Sequence, residues 1–255
     1  MEECNESLVF YLYTFLGVGG VLYLLKQTTT LTPYGRYVSS LPGTGYIMLP
    51  AKLGWFLQEL PAFLVPALMV GASGGIVTLN SKLPLLLFCG HYFQRTFIYS
   101  LLTRGRPVPL FIVISSVIFC SFNGFLQGYH LVFCTTYPES WLKDIRFILG
   151  LMIFLLGMTI NIHSDYVLRN LRKPGETEYR IPRGGMFEYV SGANFFGEIV
   201  EWFGYAIAAW TVSAFAFAFF TVCSIGPRAY HHHRYYVKKF EDYPKSRKAV
   251  IPFIF

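Results

Sequence analysis

The chain has 255 residues and a formal net charge of +7, with 54% hydrophobic but only 14% charged residues. Its mean hydropathy is +0.45, whereas soluble globular domains carry about 25% charged residues. This composition excludes a soluble enzyme and predicts an integral membrane protein. The length leaves room for a single polytopic membrane domain over residues 1–255.

Apolar segments long enough to cross a bilayer recur along the chain, since a crossing needs about 20 mostly apolar residues. Five spans are predicted at 8–25, 53–72, 83–102, 108–133 and 147–162. The segment 193–226 is too long for one crossing, so we divide it into short spans at 193–210 and 212–226 that turn near Trp210. The prediction is an all-α fold of seven transmembrane helices.

The distribution of basic residues tests this number of spans. With the N-terminus outside, most of the 21 lysines and arginines fall in cytoplasmic segments, notably the loop 163–190 and the tail 228–255. The opposite face receives only Lys82, Lys143 and Arg146, and Arg95 lies within a span. Because positive charge stays on the cytoplasmic side, an outer N-terminus and a cytoplasmic C-terminus are predicted. We attribute the net charge to orientation beside anionic lipid, not to nucleic-acid binding.

The cysteines and histidines give no metal or disulfide signal. The five cysteines have no regular spacing and no Cys-x-x-Cys pair: Cys4, Cys89, Cys120, Cys134 and Cys223. We expect small buried thiols and no disulfide framework. The run of histidines at 231–233 has poor ligand geometry, because consecutive helical side chains point about 100° apart. No metal is expected.

Polar groups occur inside the predicted spans, where they are costly and mark functional sites. They are Gln58 and Glu59 in "GWFLQELPAFLVP", His91, Tyr92 and Arg95 in the third span, and Asn194, Glu198 and Glu201 in the sixth. A spacing of four places Asn194 with Glu198 on one helix face, as it does Asn161 with Asp165. These pairs, beside a basic loop, predict a polar cofactor groove. The alternative is that such groups only hold the helices together.

Residues 157–202, "GMTINIHSDYVLRNLRKPGETEYRIPRGGMFEYVSGANFFGEIVEW", closely resemble the steroid 5α-reductases, which are 3-oxo-5α-steroid 4-dehydrogenases. The resemblance continues in "WFLQELPAF" at 55–63, "HYFQRTFIYSLLTRGRP" at 91–107, and "FEDYPKSRKAVIPFIF" at the C-terminus. It begins near residue 33, at "PYGR". It implies a seven-helix enzyme that uses NADPH to reduce the Δ4 double bond of a 3-oxo-steroid of the testosterone or progesterone type.

The same resemblance implies that the cofactor enters from the cytoplasm without a Rossmann domain, and that the steroid enters from the lipid. The "GVGG" at 17–20 agrees with this expectation, since it lies inside a span and not after a strand. The membrane would be the endoplasmic reticulum in a eukaryote or the inner membrane in a bacterium. No obligate protein partner is expected.

The implied chemistry selects residues within these motifs. Hydride reaches an enone readily when donors stabilise charge on the carbonyl oxygen, and such donors act most strongly in a dry site. The resemblance gives this role to Glu59 and Tyr92. Glu59 suits it because a carboxyl group in a medium of low dielectric favours its neutral form, which can donate a hydrogen bond. The cofactor contacts expected are Tyr34, Arg36, Arg95, Arg106, Asn161, Asp165, Arg172, Tyr179, Arg180, Asn194, Glu198, His232 and Tyr236. The steroid contacts expected are Trp55, Gln58, Phe122, Phe195, Glu201, Trp202 and Phe220.

Two alternatives stay open at this stage. One is a reductase of another sterol or polyprenoid double bond, for which a protonated Glu59 beside Tyr92 would be oddly suited. The other is a seven-span lipid receptor or transporter. A receptor would not need arginines and Asn–acid pairs at one rim, and a transporter would more often show an internal repeat, which this sequence lacks.

Overall fold

The computed structural model describes residues 4–33, 35–40, 45–74, 78–171 and 179–255, without the side chains of Arg36, Ser39 and Ser40. Seven long helices run through these residues. They are α1 (Glu6–Thr29), α2 (Ala51–Ala72), α3 (Leu79–Phe93), α4 (Leu110–Tyr129), α5 (Ile145–Asn170), α6 (Ala193–Ala209) and α7 (Val212–Lys239). A π-helical segment, Gln94–Tyr99, and a turn, Ser100–Leu102, continue α3, and the π-helical segment His130–Cys134 continues α4.

Short elements complete the fold. Three 3-10 helices occur at Gly35–Ser40, Trp141–Lys143 and Gly185–Glu188. The only sheet among the described residues is an antiparallel pair of two-residue strands, β1 (Met48–Leu49) and β2 (Val108–Pro109), with Met48 opposite Pro109. A Rossmann-type parallel sheet is therefore absent from the described residues, in line with the prediction.

Five helices are long and apolar enough to cross a membrane: α1, α2, α4 with its π-helical segment, α5 and α7. The protein is thus a mostly helical integral membrane protein. By the same criteria of length and hydropathy, α3 with its π-helical continuation and α6, with 17 residues, are not among these five. The seven-span count and the orientation therefore stay predictions. The chain does turn at Trp210, whose left-handed conformation (φ 48°) ends α6.

Two helices extend beyond the predicted spans. We expected the fifth span to end at residue 162 and the seventh at 226, but α5 continues to Asn170 and α7 to Lys239. The segment 240–255, which follows α7, contains no helix. Instead it folds back, and the carbonyls of Lys248 and Ala249 accept hydrogen bonds from the backbone of Ser191 and Gly192.

Helix starts carry polar caps, which satisfy backbone N–H groups that lack partners within the helix. Asn5, Thr78 and Thr211 cap α1, α3 and α7 in this way. Asp144 caps α5 and also accepts hydrogen bonds from the guanidinium of Arg146 at 2.8 and 2.9 Å. These bonds, from the side chain and backbone of Arg146, lower the pKa of this carboxyl to about 2.

The α5 and α6 helices pack backbone against backbone. The seam contains four glycines with seven-residue spacing on each helix: Gly150, Gly157, Gly197 and Gly204. A Cβ at Gly157 would overlap the backbone of Glu201, and one at Gly204 would overlap that of Phe154. Small residues permit such close approach between membrane helices. The seam brings Asn161 against α6, where its Nδ2 donates to the Asn194 carbonyl at 2.9 Å.

The structure corrects the expectation for the cysteines. Cys4 and Cys134 form a disulfide that ties the N-terminus to the end of α4, while Cys89, Cys120 and Cys223 are free thiols. The backbone N–H of Asn5 also donates to the Tyr129 hydroxyl at 3.1 Å. The pairing gave no sequence signal because it depends on how α1 packs against α4. A disulfide persists in an oxidising compartment. The Cys4–Cys134 bond therefore agrees with the prediction that the N-terminus lies outside the cytoplasm.

Candidate functional site

A cavity of about 910 Å³ lies among the helices, and all seven contribute to its lining. This volume is within the range of ligand pockets, about 300–1,000 Å³. Its membrane-embedded part is apolar and aromatic, with Phe119, Cys120, Phe217 and Phe220. Where α3 and α5 end, the lining is basic instead and includes Arg104, Arg106, Arg169, Arg180 and Arg228. The cavity therefore suits a ligand with one apolar and one anionic part.

Glu59 of α2 meets Tyr92 of α3 and Arg95 of the π-helical segment after α3 at the cavity wall. The Arg95 Nη1 donates to Asp165 Oδ2 at 2.7 Å, whereas its Nε lies 3.9 Å from Glu59 Oε1. Both members of the short pair are buried. The cation thus lies between two carboxyl groups but makes its short hydrogen bond with Asp165 alone. Glu59 has the weaker contact and faces the cavity.

Arg95 is also surrounded by aromatic rings. Its guanidinium carbon lies 3.9 Å from the ring centroid of Tyr99 and 5.1 Å from that of Trp55. The π-helical segment Gln94–Tyr99 contains Arg95, and such segments occur frequently at functional sites. Sequence periodicity does not reveal a π-helical segment, so this device was not predicted.

The α5–α6 seam presents its polar side chains to the same cavity. Asn161 and Asp165 on α5, and Asn194 and Glu198 on α6, all line it. The predicted grouping of the two Asn–acid pairs is therefore present. Their carboxyl and carboxamide groups offer both donors and acceptors within one wall.

The basic part of the cavity is lined by further residues predicted for a cofactor. Arg106 lies over the ring of Tyr179, and its guanidinium carbon is 5.6 Å from the ring centroid. The lining also includes Arg180, His232 and Tyr236. Nearby, the Arg228 Nη2 donates to the Tyr23 hydroxyl at 2.8 Å. Of the predicted cofactor residues, Tyr34, Arg172 and the side chain of Arg36 lie outside the described part of the chain.

Three lining residues of α7 were missed in the sequence, Thr221, Ile225 and Arg228, although they share a helix face with the predicted His232 and Tyr236. Thr221, Ile225, Arg228, His232 and Tyr236 all line the cavity at spacings of three or four, which is one face of a helix. We ended the span at 226 and counted Arg228 only as an orientation charge. Continuing the helical period past the apolar run would have identified this face.

Of the predicted steroid contacts, four line the cavity: Trp55, Gln58, Phe195 and Phe220. The Nε2 of Gln58 donates a hydrogen bond to the Gly54 carbonyl at 3.0 Å. Among the described residues, we observe no hydrogen bond between Gln58 and Glu59. The lining therefore combines aromatic faces with a polar group near Glu59.

The other three predicted steroid contacts lie outside this lining. Glu201 is fully buried with its Oε1 2.7 Å from His91 Nδ1. Trp202 packs in the core, 4.5 Å from His91 between ring centroids. Phe122 packs edge-on against Phe15 of α1 at 5.5 Å. One helical turn past Glu198, α6 faces α3 instead of the cavity, so Glu201 and Trp202 contact His91 of α3.

The chain is similar to known proteins over nearly its whole length. A family profile described as 3-oxo-5-alpha-steroid 4-dehydrogenase matches residues 106–255. The chain is 60% identical to 3-oxo-5-alpha-steroid 4-dehydrogenase 2 of Sus scrofa, over 99% of both chains. It is 55% identical to the Homo sapiens protein of the same name, over 99% of both chains. With 3-oxo-5-alpha-steroid 4-dehydrogenase 1 of Bos taurus it shares 49% identity, over 96% of this chain and 95% of the relative.

Proposed function

This chain belongs to the 3-oxo-5-alpha-steroid 4-dehydrogenase family of oxidoreductases, and we propose that it reduces the Δ4 double bond of 3-oxo-Δ4-steroids with NADPH. The observation that carries the proposal is one continuous cavity with Glu59 and Tyr92 beside its apolar part and arginines around its other part. Testosterone- or progesterone-type steroids are the proposed substrates, and the endoplasmic reticulum is the proposed membrane.

Glu59 and Tyr92 would bind the 3-keto oxygen of the steroid. Both are donors when protonated, and both face the cavity, where a bound steroid would displace water. Their hydrogen bonds would then stabilise the charge that develops on this oxygen. The nearest cation to Glu59, Arg95, makes its short bond to Asp165. This pairing leaves Glu59 free of a short ion pair and supports its role as a neutral acid.

The residues around the basic part of the cavity fit NADPH. Arginine binds phosphate through two parallel N–H groups, and Arg106 and Arg180 are the proposed phosphate ligands. The amide and carboxyl groups of Asn161, Asn194 and Glu198 match a carboxamide, which both donates and accepts. Arg95, Asp165, Tyr179, His232 and Tyr236 complete the described set, and Tyr34, Arg36 and Arg172 are proposed from the family resemblance alone.

When bound, NADPH would supply the hydride that the β-carbon of the enone, C5, accepts. Asn161, Asn194 and Glu198 would hold the cofactor, and Glu59 and Tyr92 would polarise the ketone. A proton must then reach the α-carbon, C4, and Tyr92 and water are the two candidate donors. The apolar lining of Phe119, Phe217 and Phe220 would hold the steroid hydrocarbon and keep bulk water away from the reacting atoms.

Turnover by the purified protein in detergent tests this proposal. NADPH with a 3-oxo-Δ4-steroid should yield the 5α-dihydro product. We expect Glu59→Ala to lose about 1000-fold in kcat, as for the loss of a buried donor to a developing oxyanion. Glu59→Gln keeps an N–H donor, so we expect it to retain about tenfold more activity than Glu59→Ala.

Three results would overturn parts of the proposal. If no steroid consumes NADPH and NADPH does not bind, the lipid receptor or transporter alternative gains support. If a steroid or polyprenoid without the conjugated ketone is reduced faster, the enzyme is a reductase but the substrate is wrong. If Glu59→Ala keeps wild-type turnover, Glu59 does not polarise the ketone.

A further inference from the structure

A buried chain of polar side chains lies next to Tyr92 and outside the cavity lining. Asn123 and Gln127 of α4 and Tyr205 of α6 are each fully buried. The Gln127 Nε2 donates to the Ser213 carbonyl at 3.0 Å and to Asn123 Oδ1 at 3.2 Å. The Tyr205 hydroxyl donates to Gln127 Oε1 at 3.0 Å. None of these groups was used in the mechanism above.

The direction of these hydrogen bonds is fixed from one end. A backbone carbonyl only accepts, so the Gln127 NH2 group must face Ser213 and its Oε1 must face Tyr205. The second N–H of Gln127 then requires an acceptor on Asn123, which places Asn123 Oδ1 toward Gln127. The Asn123 NH2 group consequently points away from this chain.

That NH2 group is enclosed but has no hydrogen-bond partner among the described residues. Asn123 lies one helical turn past Cys120 on α4, and Cys120 and Tyr92 both line the cavity. The side chain of Asn123 interacts with the phenol group of Tyr92. A buried N–H without an acceptor is costly. The phenol oxygen of Tyr92, the polar atom with which Asn123 interacts, can act as this acceptor.

We propose that Asn123 is a positioning residue that donates a hydrogen bond to the Tyr92 oxygen and so directs the Tyr92 hydroxyl proton into the cavity. This inference rests on the proposed role of Tyr92 at the 3-keto group. When the oxygen accepts from Asn123, the one proton of the phenol points away from Asn123, and the cavity is the side on which Tyr92 is open to a ligand. A hydroxyl group that accepts one hydrogen bond also becomes a stronger donor in the hydrogen bond that its own proton makes. The Ser213–Gln127–Asn123 chain thus sets the direction of donation at the ketone.

A double-mutant cycle tests the inference, because coupling appears only if Asn123 acts through the Tyr92 hydroxyl. We expect Asn123→Leu, which is close in volume, to lower kcat about tenfold while the KM for NADPH stays within about twofold. In a Tyr92→Phe background the same change should alter kcat by less than about twofold. If Tyr92→Phe turns over too slowly, the Kd of the saturated 3-oxo product provides the same cycle.

His130→Phe is the matched control. His130 Nδ1 lies 2.7 Å from Ser213 Oγ, whereas Gln127 donates to the backbone carbonyl of Ser213, so the His130 contact is a side branch of the chain. It should change thermal stability about as much as Asn123→Leu while leaving kcat near wild type. An equal loss from Asn123→Leu in both Tyr92 backgrounds, or an equal loss of kcat from His130→Phe, would overturn the inference.

Asn123→Asp gives a second, independent readout. The carboxyl keeps an acceptor for Gln127 but donates to Tyr92 only when protonated. Its activity relative to wild type should therefore rise as the pH falls, and a pH profile parallel to wild type would contradict the inference. All these variants presuppose a wild-type enzyme that reduces a 3-oxo-Δ4-steroid. Absence of wild-type turnover would refute the proposed function, whereas turnover with an additive cycle would refute the role of Asn123 alone.

Discussion

Two polar clusters share α3 but differ in what they face. His91 pairs with Glu201 in a closed site, where the carboxyl is fully buried and the N···O distance is 2.7 Å. Tyr92, the next residue, lies with Glu59 on the cavity wall. Adjacent helical residues point about 100° apart, so one residue changes the environment completely. The first cluster joins two helices, and the second is open to a ligand.

The comparison shows that a buried acid is not in itself a site. Glu59 and Glu201 are both carboxyl groups in apolar helices, and both have a basic neighbour. Glu201 has a close partner and no access to the cavity, while Glu59 has access and only a 3.9 Å contact to Arg95. We therefore expect opposite phenotypes when each acid is changed.

The largest expected effect on stability is that of Glu201→Ala. It leaves His91 buried without its partner, so we expect a loss of about 3–5 kcal/mol in the free energy of unfolding. Glu59→Ala removes a group at a cavity wall and should cost under about 1 kcal/mol. Thermal or denaturant unfolding in detergent measures both. Similar stability losses in the two variants would break the distinction between the clusters.

Glu201→Gln provides the control for that experiment. The amide keeps a hydrogen bond to His91 at nearly the same volume, so it should recover a large part of the stability lost in Glu201→Ala. Its kcat per folded molecule should remain close to wild type, unlike that of Glu59→Gln.

Asp165→Asn should have the next largest effect. It removes the short ionic partner of Arg95, whose Nε is already 3.9 Å from Glu59. Arg95 would then pair with Glu59 and hold it as a carboxylate, which accepts but cannot donate. We expect kcat to fall about tenfold and the KM for NADPH to rise about tenfold, the loss of one charged hydrogen bond in each case. Initial rates at varied NADPH measure both, and an unchanged kcat would argue against a neutral Glu59.

A smaller effect is expected from the aromatic residues. Phe220 lines the cavity and stacks on Phe119 with ring centroids 4.6 Å apart, whereas Phe122 does not line it. Phe220→Leu should raise the steroid KM about fivefold, in proportion to the apolar contact removed. Phe122→Leu should leave it within about twofold, and the reverse order would show that the steroid lies elsewhere.

The smallest expected effect is the change in Tm on substitution of Asp144. This residue lies outside the predicted membrane spans and serves as a reference acid. Its folded-state pKa, about 2, lies below the ordinary value of 3.8 because Arg146 binds the carboxylate. A lowered folded-state pKa stabilises the fold above the ordinary value, and this contribution disappears as the pH falls toward 2. Asp144→Asn keeps the helix cap, so its difference in Tm from wild type should shrink over that pH range. A difference independent of pH would contradict this assignment.

The sequence predicted the helical membrane class and most of the cavity because both depend on local composition and on recognisable motifs. The Asn161–Asp165 and Asn194–Glu198 pairs follow from spacing alone. Other features depend on packing between distant helices. Whether Glu201 faces the cavity or His91 is decided by the glycine seam, which sets the rotation of α6 against α5. The π-helical segment at Arg95 and the partner of Cys4 likewise have no local pattern, so sequence periodicity was silent about them.

The Cys4–Cys134 disulfide makes the first half of the chain a covalent ring that encloses α1, α2, α3 and α4. A protease that cuts once inside this ring, for example after Arg36 or Arg104, divides the polypeptide without separating its pieces. Under non-reducing electrophoresis the nicked protein remains one covalent species, and only a reductant releases the N-terminal peptide from the remainder.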